Sequence, residues 1–149
     1  YPARRAGSAI GAALRHGGGH SATFRRLAAL VVDDPEPALV VGARADEEAR
    51  AGREPVDLLR LLERRGANIV GLAIRDRPED TAAFLAAFGN PFSRIGRDDI
   101  SEVQLSLGSS GVPETFVIDG EGTVRYQHIG EIRPEHVSTL LEKLEEAGE

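Results

Sequence analysis

A proline stands between a glycine turn and a β-rich run in residues 109–120, which read SSGVPETFVIDG. Proline has no backbone N–H, so Pro113 cannot donate a hydrogen bond to a sheet ladder. A cis Val112–Pro113 bond would in addition present the backbone of Val112 at the surface, where its polar groups can align an extended partner peptide. Glu114 follows the proline directly.

Side chains able to catalyse covalent chemistry are scarce. The chain contains no cysteine, which excludes thiol chemistry, disulfides and thiolate metal sites. Ser109 and Ser110 lie beside the proline, but no histidine and acid that could activate a serine hydroxyl can be identified near them. We therefore expect no catalytic residue among the side chains of this stretch.

Metal and cofactor sites are not expected either. His16 and His20 are four apart, but the glycines of HGGGH disfavour the helix that would bring them together. His128 and His136 have no clustered partner in the sequence. The acidic runs at 33–36 and 46–48 are more typical of solvated faces than of cation sites.

Composition limits the class of protein. A length of 149 residues suits one domain, and a net charge of -6 gives no reason to expect nucleic acid or an anionic membrane as partner. The apolar run from Leu27 to Val32 is far too short to cross a bilayer. The start at Tyr1 without a methionine is compatible with a processed or truncated product whose targeting segment has been removed, and any membrane anchor is expected to be absent from this chain.

The chain changes character near residue 54. More than half of residues 1–53 are Ala, Arg or Gly, whereas the remainder is clearly periodic. We expect residues 1–24 to be a poorly ordered or atypical segment, and residues 25–149 to form a single domain.

The periodic part alternates strands and helices. Apolar runs at 37–44 and 68–74 predict buried parallel strands. Apolar residues at helical spacing, with prolines at the start and glycines at the end, predict helices at 55–66, 77–89 and 133–146. Residues 114–130 predict a β-hairpin.

This order predicts an α/β fold of three layers, in which a mixed central sheet with a C-terminal hairpin is covered by helices on both faces and closed by a last helix. One shared core is expected to contain six apolar residues. They are Val70, Leu72, Phe84, Phe88, Phe116 and Ile118.

Residues Ile69 to Glu135 resemble the thioredoxin superfamily, and within it the DsbE or CcmG thiol:disulfide oxidoreductases of cytochrome c maturation. The resemblance is carried by IVGLAIRDRPEDTAAFL, by GNPF at 89–92 and by GSSGVPETFVIDGEGTVRYQHIGEIRPE, in family order. It implies a thioredoxin-like fold in which the Val112–Pro113 bond is cis and faces the start of the helix that contains Leu58 to Leu62.

The resemblance also implies a partner-binding groove. Val112, Pro113 and Glu114 would form its centre, and Asn90, Pro91 and Phe92 would shape it. The acidic residue after the proline is thought to influence thiol ionisation and partner choice in the family. For Glu114, a solvated carboxylate at a strand edge is the equally weighted alternative.

The family's Cys-x-x-Cys pair would fall near Ala49 and Gly52, counting back from the shared RRG turn that ends at Gly66. Both thiols are replaced, so the chain as written is expected to be redox-inactive. Three explanations remain open: natural loss in a redox-dead relative, an altered form, or a first third misread through a shifted reading frame.

Two functions follow from these observations. The first is a thioredoxin-fold protein of cytochrome c maturation, with periplasmic thiol-disulfide exchange as the family activity and apocytochrome c or maturation proteins as partners. The alternative is a non-catalytic module that binds a partner peptide or protein through the groove beside Val112 and Pro113.

Overall fold

The computed structural model describes residues 4–5, 36–109, 111–120 and 123–149. Its strands are β1 Arg4–Arg5, β2 Ala38–Ala43, β3 Ile69–Ile74, β4 Arg94–Asp98, β5 Glu114–Ile118 and β6 Thr123–Ile129. Its helices are α1 Ala45–Ala51, α2 Glu54–Arg64, α3 Pro78–Phe88, α4 Glu102–Ser106 and α5 Val137–Ala147, with a 3-10 turn at Pro134–His136. Apart from the short β1, the expectations for residues 1–35 lie outside the described residues.

The strands form one mixed sheet in the order β1-β6-β5-β2-β3-β4. β2, β3 and β4 run parallel, whereas β5 pairs antiparallel with both β2 and β6. The parallel pairs are joined through α2 and α3, and the antiparallel pair β5–β6 is the predicted hairpin. The predicted α/β architecture is confirmed.

Local sequence explains the main elements. All six residues of β3, IVGLAI, are buried, as expected for a parallel strand covered on both faces. α2 has a proline at its second position, and the chain leaves the helix through Gly66 at φ +94°. These features fix the start and the end of the helix.

Alternate residues of the strands enter two separate cores. Leu39, Val41 and Val117 pack with α2 and α5 on one face, which we call the α2 face. Val40 and Phe116 belong to the core on the other face, which we call the α4 face. Val103 of α4 and Leu107 just after it cover this second core. Helices therefore lie on both sides of the sheet, as predicted.

The expectation of one shared apolar core is wrong for two of its six members. Phe116 belongs to the α4 face, but Phe84 and Phe88 lie on α3, a helix without a buried residue. Their rings contact each other with centroids 5.0 Å apart. Two successive right-handed crossovers, from β2 to β3 and from β3 to β4, place α3 on the α2 face, opposite Phe116.

Besides β1, three short elements were not predicted from the sequence. They are α1, the edge strand β4 and α4. β4 reads RIGRD and carries charges that are typical of an exposed sheet edge. α1 and α4 have only seven and five residues, too few to show a helical period.

A buried carboxylate at the end of β4 holds α4 in place. Asp98 is 2% exposed, and its two side-chain oxygens accept hydrogen bonds from the N–H groups of Val103 at 3.3 Å and Gln104 at 2.8 Å. A carboxylate at this position satisfies donors that lack a partner within the helix and complements the helix dipole. Asp98 thereby fixes the segment that leads to Pro113.

We expect Asp98→Ala to lower the free energy of unfolding by about 2 kcal/mol, because it leaves two N–H groups without their acceptor. Urea unfolding measures this change. The neighbouring Asp99→Ala is the control: Asp99 is exposed and, among the described residues, pairs with Arg97 alone, so its loss should cost less than about 0.5 kcal/mol. Equal effects of the two variants would show that Asp98 has no special role.

Candidate functional site

The Val112–Pro113 peptide bond is cis and lies directly before β5. Pro113 lines a cavity of about 20 Å³ together with Glu48 of α1 and with Pro55 and Leu59 of α2. Pro55 is the second residue of α2, so Pro113 faces the start of this helix. Both the cis bond and this placement agree with the expectations from the sequence.

Backbone hydrogen bonding differs between Pro113 and the residue before it. The Pro113 carbonyl accepts a hydrogen bond from the Gly130 N–H at 3.0 Å. Val112 is half-buried, and its N–H and C=O have no hydrogen-bond partner within the described parts of the chain. The main chain of Val112 is therefore available for pairing beyond the end of the hairpin.

The carboxylate of Glu114 points into the interior. Its residue is 1% exposed, its Oε1 accepts a hydrogen bond from the Gly111 N–H at 3.1 Å, and its Oε2 accepts one from Gln127 Nε2 at 2.7 Å. The alternative of a solvated carboxylate at a strand edge is therefore wrong. Glu114 instead fixes the backbone that precedes Val112.

The other groove residues expected from the resemblance lie elsewhere. Asn90 accepts a hydrogen bond from the Phe92 N–H at 2.9 Å, which makes a tight turn before β4. Pro91 is buried, and Phe92 packs into the core of the α2 face. This turn leads into the amino end of β4, whereas Pro113 lies near the carboxyl ends of the parallel strands. The structure does not bring the two groups together.

Ala49 and Gly52 lie at the wrong end of a helix for the role that their family positions imply. Ala49 is in the last turn of α1, and Gly52 follows this helix at φ +82°. Neither residue lies at a helix N-terminus, because the helix breaks here and α2 starts only at Glu54. The carbonyl end of α1 lies near position 49, and the Ala49 carbonyl itself accepts a hydrogen bond from the Gly52 N–H at 3.4 Å.

Glu48 is the functional candidate that the sequence did not single out. It lines both the Pro113 cavity and a second, mainly apolar cavity of about 60 Å³ beneath α1 and α3. Burial, followed by the charges of Glu131 and Glu47, raises the pKa of Glu48 to about 7. Its spacing of three from the buried Ala45 was the available signal, since both lie on one face of α1.

Asp76 lines the same apolar cavity and also holds α1. Both of its carboxylate oxygens accept a hydrogen bond from the Ala45 N–H, at 3.1 and 3.0 Å, and Oδ2 accepts one from the Thr81 hydroxyl at 3.3 Å. Burial is the main cause that raises the pKa of Asp76, and these hydrogen bonds oppose it. Asp76 therefore orients the helix that carries Glu48.

Metal chemistry finds no support in the parts of the chain that the structure covers. Within these residues, no group of three or more His, Cys, Asp or Glu side chains could hold an ion. His128 and His136 do come together, with ring centroids 4.3 Å apart. His128 Nε2 contacts the Glu131 carbonyl and His136 Nδ1 accepts the Arg133 N–H, so both rings serve the loop after β6. His16 and His20 lie outside the described residues.

The raised pKa of Glu48 predicts a pH-dependent stability. Its folded pKa lies above the ordinary value, so ionisation costs stability as pH rises from 4.5 through about 7. We expect Glu48→Gln to match the wild type at acidic pH and to exceed its free energy of unfolding by about 1 to 3 kcal/mol at alkaline pH. Urea unfolding across this range tests the difference. The exposed Glu63→Gln is the control and should show no such trend.

Two cysteine variants test where the positive end of a helix lies. We expect the thiol in Ala49→Cys to keep an ordinary or raised pKa, because it lies at the C-terminal turn of α1. In Glu54→Cys, at the first residue of α2, the thiol pKa should be lower by about one unit. Rates of alkylation against pH measure both values. A more acidic thiol at position 49 would contradict the observed helix break.

Several thiol:disulfide interchange proteins are similar in sequence to this chain. No protein-family model matches the chain. It is 45% identical over 67 residues to a probable DsbE-2 thiol:disulfide interchange protein of Pasteurella multocida, covering 45% of this chain and 36% of that protein. It is 36% identical over 89 residues to DsbE of Escherichia coli, covering 57% and 48%. HelX of Rhodobacter capsulatus is 34% identical over 83 residues, covering 56% and 47%.

These matches span about half of the relatives' length or less, whereas structural similarity extends further. A secreted Mycobacterium tuberculosis disulfide oxidoreductase homologous to E. coli DsbE superposes with a TM-score of 0.60 at 13% identity, covering 80% of this chain and 86% of that one. The thioredoxin domain of a Bacteroides vulgatus thiol-disulfide oxidoreductase gives 0.57 at 19% identity, covering 74% and 79%. The fold is thioredoxin-like.

Proposed function

We propose that this thioredoxin-fold relative of the DsbE proteins is a redox-inactive binding domain of cytochrome c maturation, which holds an extended segment of a partner protein along Val112 and Pro113. One observation carries the proposal. The N–H and C=O of Val112 have no partner within the described residues, although the flanking main chain is bonded at Gly111 and Pro113.

An extended peptide suits these unpaired groups. Val112 lies two residues before the start of β5, so its N–H and C=O can form the two hydrogen bonds of an antiparallel pair. Main-chain pairing gives affinity with little dependence on the partner's sequence. The neighbouring cavity, lined by Pro113, Glu48 and Leu59, has room for little more than one water molecule, so main-chain pairing is the main source of affinity.

Thiol-disulfide exchange is excluded for this chain on chemical grounds. The reaction needs a thiolate that attacks a disulfide sulfur, and the chain has no sulfur nucleophile. Alanine and glycine occupy the positions implied by the resemblance. Glu48, which lines the Pro113 cavity, can exchange a proton but cannot carry the electrons of a disulfide. Binding is the part of the family activity that the remaining geometry supports.

The proposed partner and compartment come from the resemblance to DsbE. Apocytochrome c, whose haem-attachment site is an extended Cys-X-X-Cys-His segment, is the proposed partner, with other maturation proteins as further candidates. The proposed location is the periplasm. Within the described residues, no helix has the length and apolar character needed to cross a membrane.

A haem-site peptide tests the binding proposal. Its two cysteines are replaced by serine, so that only non-covalent binding is measured, and it is titrated into isotope-labelled protein. We expect amide chemical shifts to move at Gly111, Val112 and Gly130, but not at the remote Gly66. A peptide N-methylated on alternate residues has the same side chains but lacks those N–H donors, and it should bind at least about tenfold more weakly. Equal binding of both peptides would contradict main-chain pairing.

A reduction assay tests the absence of redox activity. Insulin precipitates when dithiothreitol reduces its disulfides, and an active thioredoxin-like enzyme accelerates this precipitation. We expect this chain to leave the rate equal to that of dithiothreitol alone, because no thiolate is available. Acceleration by the pure protein would refute the chemical argument, and a DsbE enzyme with an intact dithiol is the positive control.

A further inference from the structure

The peptide groups of Gly111 are held by three side chains from three parts of the chain. Its carbonyl accepts hydrogen bonds from Ser109 Oγ at 2.9 Å and from Gln104 Nε2 at 3.2 Å. Its N–H donates to Glu114 Oε1 at 3.1 Å. We call the side chains of Gln104, Ser109 and Glu114 the Gly111 clamp.

The clamp is largely shielded from water. Ser109 is 8% exposed and Glu114 is 1% exposed, and Gln104 is half-buried. Hydrogen bonds in such surroundings hold their geometry better than bonds that compete with solvent. Gln104 Nε2 also lies 3.3 Å from Ser109 Oγ, so the two side chains that hold the carbonyl contact each other.

Gln104 is itself fixed at both ends. Its N–H donates to Asp98 Oδ2 at 2.8 Å, and its carbonyl accepts the Ser109 N–H at 3.0 Å. Its neighbours Val103 and Leu107 are anchored in the core of the α4 face. The side-chain amide therefore reaches Gly111 from a rigid support, on the side of the sheet opposite Glu48.

The residue after Gly111 has no comparable support. The N–H and C=O of Val112 lack partners within the described residues, and its side chain packs against the core of the α4 face. A clamp on the preceding peptide and a cyclic residue after it leave Val112 little freedom to turn. Its unpaired groups thus keep one direction before any partner arrives, which reduces the entropy lost on binding.

We infer that Gln104 and Ser109 are positioning residues, which hold the Gly111 carbonyl so that Val112 presents its main chain to a partner. The inference rests on the proposed peptide binding. It assigns part of the partner affinity to two side chains on the α4 face that do not line the Pro113 cavity. A tight turn alone does not require this arrangement, since no main-chain group within the described residues bonds to the Gly111 carbonyl.

Near-isosteric variants separate positioning from packing. Gln104→Glu keeps the size of the side chain, but at neutral pH it replaces the amide donor with an acceptor that repels the Gly111 carbonyl. Ser109→Ala removes the second donor. The controls on α4 are Leu105→Ala, an exposed neighbour, and Ser106→Ala, whose hydroxyl donates to the Glu102 carbonyl within its own helix.

We expect Gln104→Glu and Ser109→Ala each to weaken binding of the serine-substituted haem-site peptide by about fivefold to tenfold, and both controls to change it by less than about twofold. Binding is measured at a temperature where urea unfolding shows every variant to be fully folded. Hydrogen exchange of the Gly111 amide should become faster in the two clamp variants but not in the controls. Unchanged affinity in both clamp variants would overturn the inference.

Failure of the proposed peptide binding can be distinguished from failure of the Gly111 clamp. If the wild type does not bind the peptide, peptide binding fails as the function, and the clamp is judged by exchange alone. Faster exchange at Gly111 in Gln104→Glu, with exchange at the distant Asp119 unchanged, would then retain the clamp as a fixed element without this partner. Unchanged exchange at Gly111 would overturn the clamp as well.

Discussion

The pairing of β2 determines which parts of the molecule meet at the candidate site. This strand runs parallel to β3 on one side and antiparallel to β5 on the other, with Gly42 opposite Glu114. Because of the antiparallel side, β5 begins where β2 ends. Pro113 therefore lies at the edge of the sheet that the strand ends form, where the chain leaves β2, enters α1 and starts α2. A shift of this register by one residue would turn Glu114 away from its partners and lose the site.

The two faces of the sheet contribute differently to this edge. On the α2 face, Pro113 meets Glu48 and the start of α2 around a cavity. On the α4 face, the chain returns from the edge strand β4 to the centre of the sheet, and its polar groups must be satisfied away from water. Asp98, Gln104 and Glu114 do this in sequence, linking the end of β4 to the start of β5. The hydrogen bonds that satisfy the polar groups of the segment between β4 and β5 also fix the backbone beside Val112.

Long elements with a clear apolar pattern were predictable from the sequence, whereas short or solvent-exposed elements were not. The runs PALVVGAR and NIVGLAI indicated β2 and β3, because continuous apolar residues suit strands buried on both faces. The sequence SGVPETF indicated a proline at the start of a central strand. By contrast, α1 and α4 are too short for a helical period, and β4 carries two arginines. Their positions depend on tertiary bonds such as that from the Ala45 N–H to Asp76.

The same limit applies to the candidate site. Counting along the chain placed Ala49 and Gly52 where the resemblance expects thiols, but counting cannot show that a helix breaks at Gly52. Burial likewise depends on the fold. From the sequence, Glu48 is one of three acids at 46–48 that are typical of a solvated face, and only the packing of α1 against the sheet buries it. Its raised pKa is a property of the assembled edge, since burial and Glu131 produce most of it.

The break between α1 and α2 separates the helix N-terminus beside Pro113 from the positions that the resemblance assigns to the cysteines. A thiol of low pKa needs the N-terminus of a helix beside the proline, and here this N-terminus begins at Glu54, beyond the positions that the resemblance assigns to the cysteines. Ala43 and Ala73 line, together with α3, the cavity of about 60 Å³, whereas Phe92 packs directly against Gly71. The cavity opens to the surface on one side, so the apolar groups that line it are less tightly packed than the core. The edge of the sheet tolerates this looser packing because strand pairing and the Gly111 clamp, on the opposite face, hold Pro113 and Val112 independently of α1. The main chain proposed to bind a partner is therefore fixed by parts of the structure other than α1.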